Sequence, residues 1–215
     1  MKKLLIASCL LIYLSGFSQK NKPERAQNSP LQFGLKAGGN YSGTIFSATN
    51  QYYDVNYKFG YYGGLIFKID LPKSMSLQPE ILYNEKGDRL KELQDEDVTA
   101  RFNFVFLSMP IMFQYQINPK FYVEVGPEIS YLLSVKLKFK KNTYDDEDLT
   151  ELYSPLDAGL GFGIGYSLSP KISEGARYTY GFIPGANEEA YFERSGVKPY
   201  KFTHSNAQLG INYFF

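Results

Sequence analysis

Residues 156–166 read Leu156-Asp157-Ala158-Gly159-Leu160-Gly161-Phe162-Gly163-Ile164-Gly165-Tyr166. Apolar side chains occupy the even positions, and aspartate or glycine the odd ones. A period of two is the mark of a strand with two unlike faces. Such strict alternation lacks the strand–turn–helix setting of a phosphate loop, so the glycines are read as room for bulky neighbours.

The same rhythm extends in both directions. Met75, Leu77, Pro79, Ile81 and Tyr83 oppose Ser76, Gln78, Glu80 and Asn84; Phe121, Val123, Val125, Ile129, Tyr131 and Leu133 oppose Glu124, Gly126, Glu128 and Ser130. Further strands are expected at 31–41, 57–69, 102–116, 171–182 and 206–215, which makes eight. Short connections (Asp70-Leu71-Pro72-Lys73, Asn118-Pro119-Lys120, Ser169-Pro170-Lys171) alternate with long ones at 42–56, 87–101, 141–152 and 184–203. A transmembrane barrel with tight turns at one end and long loops at the other has this pattern. The expected class is therefore all-β, an eight-stranded antiparallel up-and-down transmembrane β-barrel.

Alternation alone leaves open whether the apolar face lies inside, as in a soluble barrel, or outside against lipid. Three features choose the second. Tyr83, Tyr115, Tyr131, Tyr166 and Tyr213 stand near strand ends on the apolar parity, as an interfacial girdle requires. Glycines gather on the polar parity, where a small lumen must seat long charged side chains. The chain also closes on Asn212-Tyr213-Phe214-Phe215, which resembles the signal read by the barrel assembly machinery, with Tyr213 and Phe215 its candidate residues.

The polar parity carries Lys36, Lys58, Lys68, Asp70, Glu80, Lys86, Glu124, Glu128, Asp157 and Arg177. Buried ions of both signs must pair, because an unpaired one costs several kcal/mol, on the order of 3–5. A lumen network is expected with Arg177, Glu80 and Glu128 at its centre and Lys36, Glu124 and Asp157 joining. Pro79, Pro110 and Pro127 inside strands predict bulges or bends. Phe102, Phe104 and Phe106 fall out of step with Leu107 and Met109 and predict a bulge near Phe106.

At the other end of the chain, Lys2 and Lys3 precede an apolar stretch at 4–14 and the small residues Gly16 and Ser18. This predicts a signal peptide at 1–18, a flexible periplasmic lead-in at 19–30 and the barrel at 31–215. Ile6-Ala7-Ser8-Cys9 resembles a lipoprotein box but leaves few apolar residues before the cut. Cys9 is the only cysteine, so the mature chain has no disulfide or thiol chemistry. The formal net charge of +1 lacks the basic excess of a nucleic-acid binder. Aromatics make up 17% of the chain, all Tyr and Phe, which favours strands.

Other candidates have plainer readings. His204 is the sole histidine and is expected at a loop edge, which weakens any histidine-dependent triad. Asp95-Glu96-Asp97 and Asp145-Asp146-Glu147-Asp148 lack the ligand spacing of a calcium loop and read as solvated charge. Lys136, Lys138 and Lys140 extend the fifth strand and could meet lipopolysaccharide phosphates. No catalytic residue, cofactor or metal is implied.

Several stretches together resemble the outer-membrane β-barrel family common in Bacteroidota, the "porin family" or PorT-like proteins. They are Gly34-Leu35-Lys36-Ala37-Gly38, Phe59-Gly60-Tyr61-Tyr62-Gly63-Gly64, Leu77-Gln78-Pro79-Glu80-Ile81-Leu82-Tyr83, Met109-Pro110, Gly126-Pro127-Glu128, Gly161-Phe162-Gly163-Ile164-Gly165-Tyr166 and Arg177-Tyr178-Thr179-Tyr180-Gly181. The resemblance implies the barrel fold and the outer membrane of a Gram-negative bacterium. It implies membrane lipid, lipopolysaccharide and the assembly machinery as partners, and it singles out no activity. The expected role is structural or surface-interactive with a side-chain-filled lumen. The alternatives are passive solute transport, secretion-system assembly or an outer-membrane enzyme.

Overall fold

The computed structural model describes residues 31–46, 53–92, 99–139, 146–196, 198–199 and 201–215. The expected signal peptide (1–18) and lead-in (19–30), together with Asp95-Glu96-Asp97, Lys140 and Asp145, lie outside the described residues.

Eight long strands form the wall: β1 (Leu31–Phe46), β2 (Tyr53–Leu71), β3 (Met75–Glu92), β4 (Thr99–Gln116), β5 (Phe121–Phe139), β6 (Leu156–Ser167), β7 (Ile172–Gly181) and β8 (Phe202–Phe214). Each pairs antiparallel with its neighbours, and β8 pairs with β1 to close the cylinder. A two-residue strand at Glu147–Asp148 adds to the far end of β5.

Exposure decides which face meets lipid. Phe162 and Ile164 are 51% and 63% exposed on the outside, whereas Glu80 and Arg177 are 2% and 4% exposed within. Two aromatic levels ring the outer face: Tyr115, Phe121, Tyr166, Tyr213 and Phe215 toward the short turns, and Tyr61, Tyr83, Tyr131 and Tyr180 toward the long loops. Apolar outward and polar inward is the arrangement of a lipid-embedded barrel.

The strands differ from expectation in three ways. β1 to β5 are 16–19 residues long, beyond the roughly 9–11 that cross a bilayer. Much of the expected loops at 42–56 and 87–101 is therefore hydrogen-bonded strand standing above the apolar band. Backbone pairing continues where side chains have already turned polar.

The prolines cause no bulge. In each case the partner strand skips the pair opposite the proline, with Pro79 facing Phe67, Pro110 facing Glu80 and Pro127 facing Ile111, while the register is the same on both sides. A missing N–H removes a ladder bond without adding a residue.

The register does shift at Val105/Phe106, near the expected place, but the extra residue belongs to β5. Val105 faces Ser134 and Phe106 faces Leu132, so Leu133 is the bulged residue. Phe102, Phe104 and Phe106 keep the inward parity of Ser108, and only their chemistry changes. A second shift, between Tyr57 and Tyr62 on β2, was not expected. It brings the Lys58 amine to Glu85 at 2.8 Å and to Asn103, residues on the outward parity of Tyr83 and Met109. Lys58 therefore leaves the lumen set.

The segment expected as a loop at 184–203 contains helix α1 (Glu188–Ser195). Asn187 caps it by accepting from the Ala190 N–H, Glu188 and Glu189 sit in its first turn, and Gly196 ends it at φ +70°. These are ordinary helix start and stop signals.

Candidate functional site

The lumen narrows to a single layer of four ions. Lys36 comes from β1, Glu80 from β3, Glu124 from β5 and Arg177 from β7. These are alternate strands, so each ion faces another across the full width of the cylinder. Arg177 donates from Nη1 to Glu80 Oε2 at 2.8 Å, from Nη2 to Glu80 Oε1 at 2.7 Å, and from Nε to Glu124 Oε1 at 2.7 Å. Lys36 Nζ donates to both Glu80 oxygens at 3.0 and 3.3 Å. Gln78 donates to Glu80 at 2.7 Å, and Gln114 donates to Glu124 at 3.0 Å and to Gln78 at 3.1 Å. Two cations and two carboxylates make the layer formally neutral, and the amides occupy remaining lone pairs.

Glycine allows this geometry. Gly163 lies directly between Glu124 and Arg177 in the cross-strand row. A Cβ there would come within 2.7 Å of Glu124 Oε1 and 2.8 Å of the Ala176 carbonyl. At Gly165 a Cβ would fall on the ring of inward-pointing Tyr122. The alternating glycines of β6 are thus the clearance over which long side chains from β5 and β7 cross.

A second tier lies nearer the long loops. Lys86 Nζ donates to Glu128 Oε1 at 3.1 Å, and Ser130 and Thr179 donate to the same carboxylate at 3.3 and 3.4 Å. Ser108 and Ser130 share a 2.8 Å hydrogen bond, and Asn40 donates to Asn84 at 2.9 Å.

The expected centre is corrected here. Glu128 pairs with Lys86, and Glu124 takes its place beside Arg177, because the register puts Glu124 and Arg177 on either side of Gly163. Asp157 is buried at the level of the second tier, directly opposite Ser130, and its Oδ1 has no hydrogen-bond partner among the described residues. Gln78, Gln114, Ser108 and Ser130, which were not singled out, share the inward parity that marked the charges.

Above the second tier the lumen turns apolar. Phe104, Phe106, Leu132, Val135 and Leu149 form a buried cluster with Tyr153 against it. His204 belongs here rather than at a loop edge. It is buried, with ring centroids 5.0 Å from Phe104, 5.6 Å from Phe106 and 5.6 Å from Phe202. Even positions of β8 point inward, which carries His204 into the barrel along with Asn206 and Gln208. Lys86 links tier and plug, its Nζ standing 5.2 Å from the Phe106 ring centroid.

Outside the lumen, Asp148 accepts from the Thr150 N–H at 3.0 Å and its hydroxyl at 2.6 Å, bonds that hold this exposed carboxyl below its usual range. Glu147 pairs with Arg194 at 3.3 Å. These acids shape a turn. Tyr213 and Phe215 point outward and touch edge-on at 5.5 Å, and Phe215 lies 4.9 Å from Phe33.

A family model described as "Outer membrane protein beta-barrel domain" matches residues 17–186. No curated protein matches. Among solved structures, Neisserial surface protein A is 14% identical, with 85% of this chain and 97% of that chain covered and a TM-score of 0.51. Ail, the attachment invasion locus protein of Yersinia pestis, is 13% identical, with 86% and 99% covered and a TM-score of 0.47. OprG of Pseudomonas aeruginosa is 14% identical, with 86% and 95% covered and a TM-score of 0.43. Identities this low speak to the fold alone.

Proposed function

The chain belongs to the outer membrane protein β-barrel domain family, and from that premise we propose that it is a structural or surface-interaction protein of the Gram-negative outer membrane whose lumen is closed to solutes. One observation carries this reading. Arg177 and Glu80 stand four strands apart whichever way the wall is followed, yet their side chains meet at 2.7 Å. A pore cannot run through a point where opposite walls touch. Eight strands in any case leave an interior that side chains can fill. The apolar plug around Phe104 and His204 is a second closure, and the polar tier around Glu128 lies between the two.

In this proposal the short turns, the start of β1 at Leu31 and the end of β8 at Phe214 face the periplasm, and the tall ends of β1–β5 stand at the cell surface. The motifs shared with the PorT-like barrels of Bacteroidota support placing it near that group. No catalytic role is assigned.

Single-channel recording across planar bilayers tests the closed lumen, with no stable conductance steps expected from the folded protein. Steps of uniform size would overturn it. The second reading, passive transport of small solutes, draws on the inward amides of Asn206 and Gln208, whose polar atoms have no partner among the described residues. It requires conductance that changes when Glu128 is replaced by Gln.

A further inference from the structure

The outer face changes character above the apolar band. On β4 the outward parity runs Met109, Leu107, Val105 and then Asn103 and Arg101. On β3 it runs Ile81, Tyr83, Glu85, Gly87 and Arg89. On β5 the bulge at Leu133 reverses the parity. Val135 turns inward, and Lys136 and Lys138 replace apolar residues on the outside.

The register then lines the cations up. Arg89 is directly opposite Arg101, and Arg101 directly opposite Lys138. Neighbouring strands lie about 4.8 Å apart, so the backbone positions of the three cationic residues span about 10 Å. Lys136, opposite Asn103 on one side, has Asp148 on the other and so stands outside this row. Arg89, Arg101 and Lys138 are exposed. No described carboxylate forms an ion pair with Arg89, Arg101 or Lys138.

Like charges placed directly opposite one another destabilise a sheet, and the wall needs no cation at these positions. A bound polyanion reverses the sign of that interaction. Height selects the anion. The row begins where the lipid-facing side chains of β4 and β5 end, at Val105 and Leu133, which is the level of outer-leaflet headgroups. Arginine's planar fork suits phosphate oxygens bidentately.

We propose that Arg89, Arg101 and Lys138 seat the phosphate groups of an outer-leaflet glycolipid, the lipopolysaccharide headgroup. This rests on the orientation given under the proposed function and is independent of whether the lumen conducts.

The test uses the full mature chain folded in detergent micelles and three probes: bisphosphorylated lipid A, the same lipid with its phosphates removed, and inorganic pyrophosphate. The row variant carries Arg89→Gln, Arg101→Gln and Lys138→Gln. A control carries Lys73→Gln, Lys120→Gln and Lys171→Gln at the opposite end. Heat-dependent gel mobility verifies that each barrel is folded, and if the row variant does not fold, Arg101→Gln alone replaces it.

Bisphosphorylated lipid A should bind the row variant about tenfold more weakly and the control unchanged, with the wild-type advantage gone for dephosphorylated lipid and reduced by added salt. Unchanged binding in the row variant, or an equal loss in the control, overturns the site. Pyrophosphate binding as tightly as lipid A overturns the membrane source of the phosphate. Labelling of a Glu151→Cys variant on intact cells reports the orientation separately.

Discussion

Arg177 and Glu80 are 97 positions apart in the chain and lie on opposite walls, yet they are joined by two parallel hydrogen bonds of 2.7 and 2.8 Å. This contact ties the two halves of the cylinder together through its axis. Without Arg177, Lys36 alone faces two buried carboxylates, and Glu124 loses the cation it is bonded to. Arg177→Gln should lower stability by about 3–5 kcal/mol, read from the urea midpoint of the mobility shift. Adding Glu80→Gln should recover part of that loss, and strict additivity of the two would contradict the coupling.

Gly163 and Gly63 offer a matched comparison. A methyl at Gly163 meets Glu124 Oε1 at 2.7 Å, whereas at Gly63 the nearest atom is the Lys36 carbonyl at 3.5 Å. Gly163→Ala should cost about 1–3 kcal/mol, and Gly63→Ala less than about 0.5. Equal midpoints for the two would remove the clearance argument.

Lipid contact should depend on depth. Phe162 lies midway along β6, and Phe121 at the short-turn end of β5. Phe162→Arg should cost roughly 2–4 kcal/mol in a bilayer, and Phe121→Arg at most about 1. Refolding titrations into vesicles measure both, and the reverse order would place the membrane elsewhere along the wall.

The plug at the long-loop end should be a separate element. Phe104 is buried among Phe106, Val135, Tyr153 and His204. Phe104→Ala should cost about 3–5 kcal/mol. It should leave the bilayer silent, because the Arg177 layer still closes the lumen below it. Conductance from this variant alone would shift the closure from the ions to the aromatics.

The wall was legible in the sequence because a two-residue period records which side chain meets lipid. Phe162 and Glu80 each declared a face by polarity. What polarity does not record is where backbone pairing stops, so the tall ends of β3 and β4 read as loops. Nor does it record register. Glu124 and Glu128 share a face and a charge, and only the alignment of β5, β6 and β7 through Gly163 gives Arg177 to the first. Lys58 was misplaced for a related reason, since a one-residue bulge moves every side chain beyond it to the other face. His204 looked peripheral because β8 begins four residues earlier than its apolar outer parity suggests.

The four-ion layer also constrains the order of events during insertion. A chain that has reached only β6 holds Lys36, Glu80 and Glu124, an excess of one negative charge that water must solvate. The compensating guanidinium arrives only with residue 177, near the end of the polypeptide. Until that strand docks, the interior has to stay wet, so the middle of the wall cannot dry out around an incomplete ring. Electroneutrality at the waist acts as a check that the full complement of strands is present.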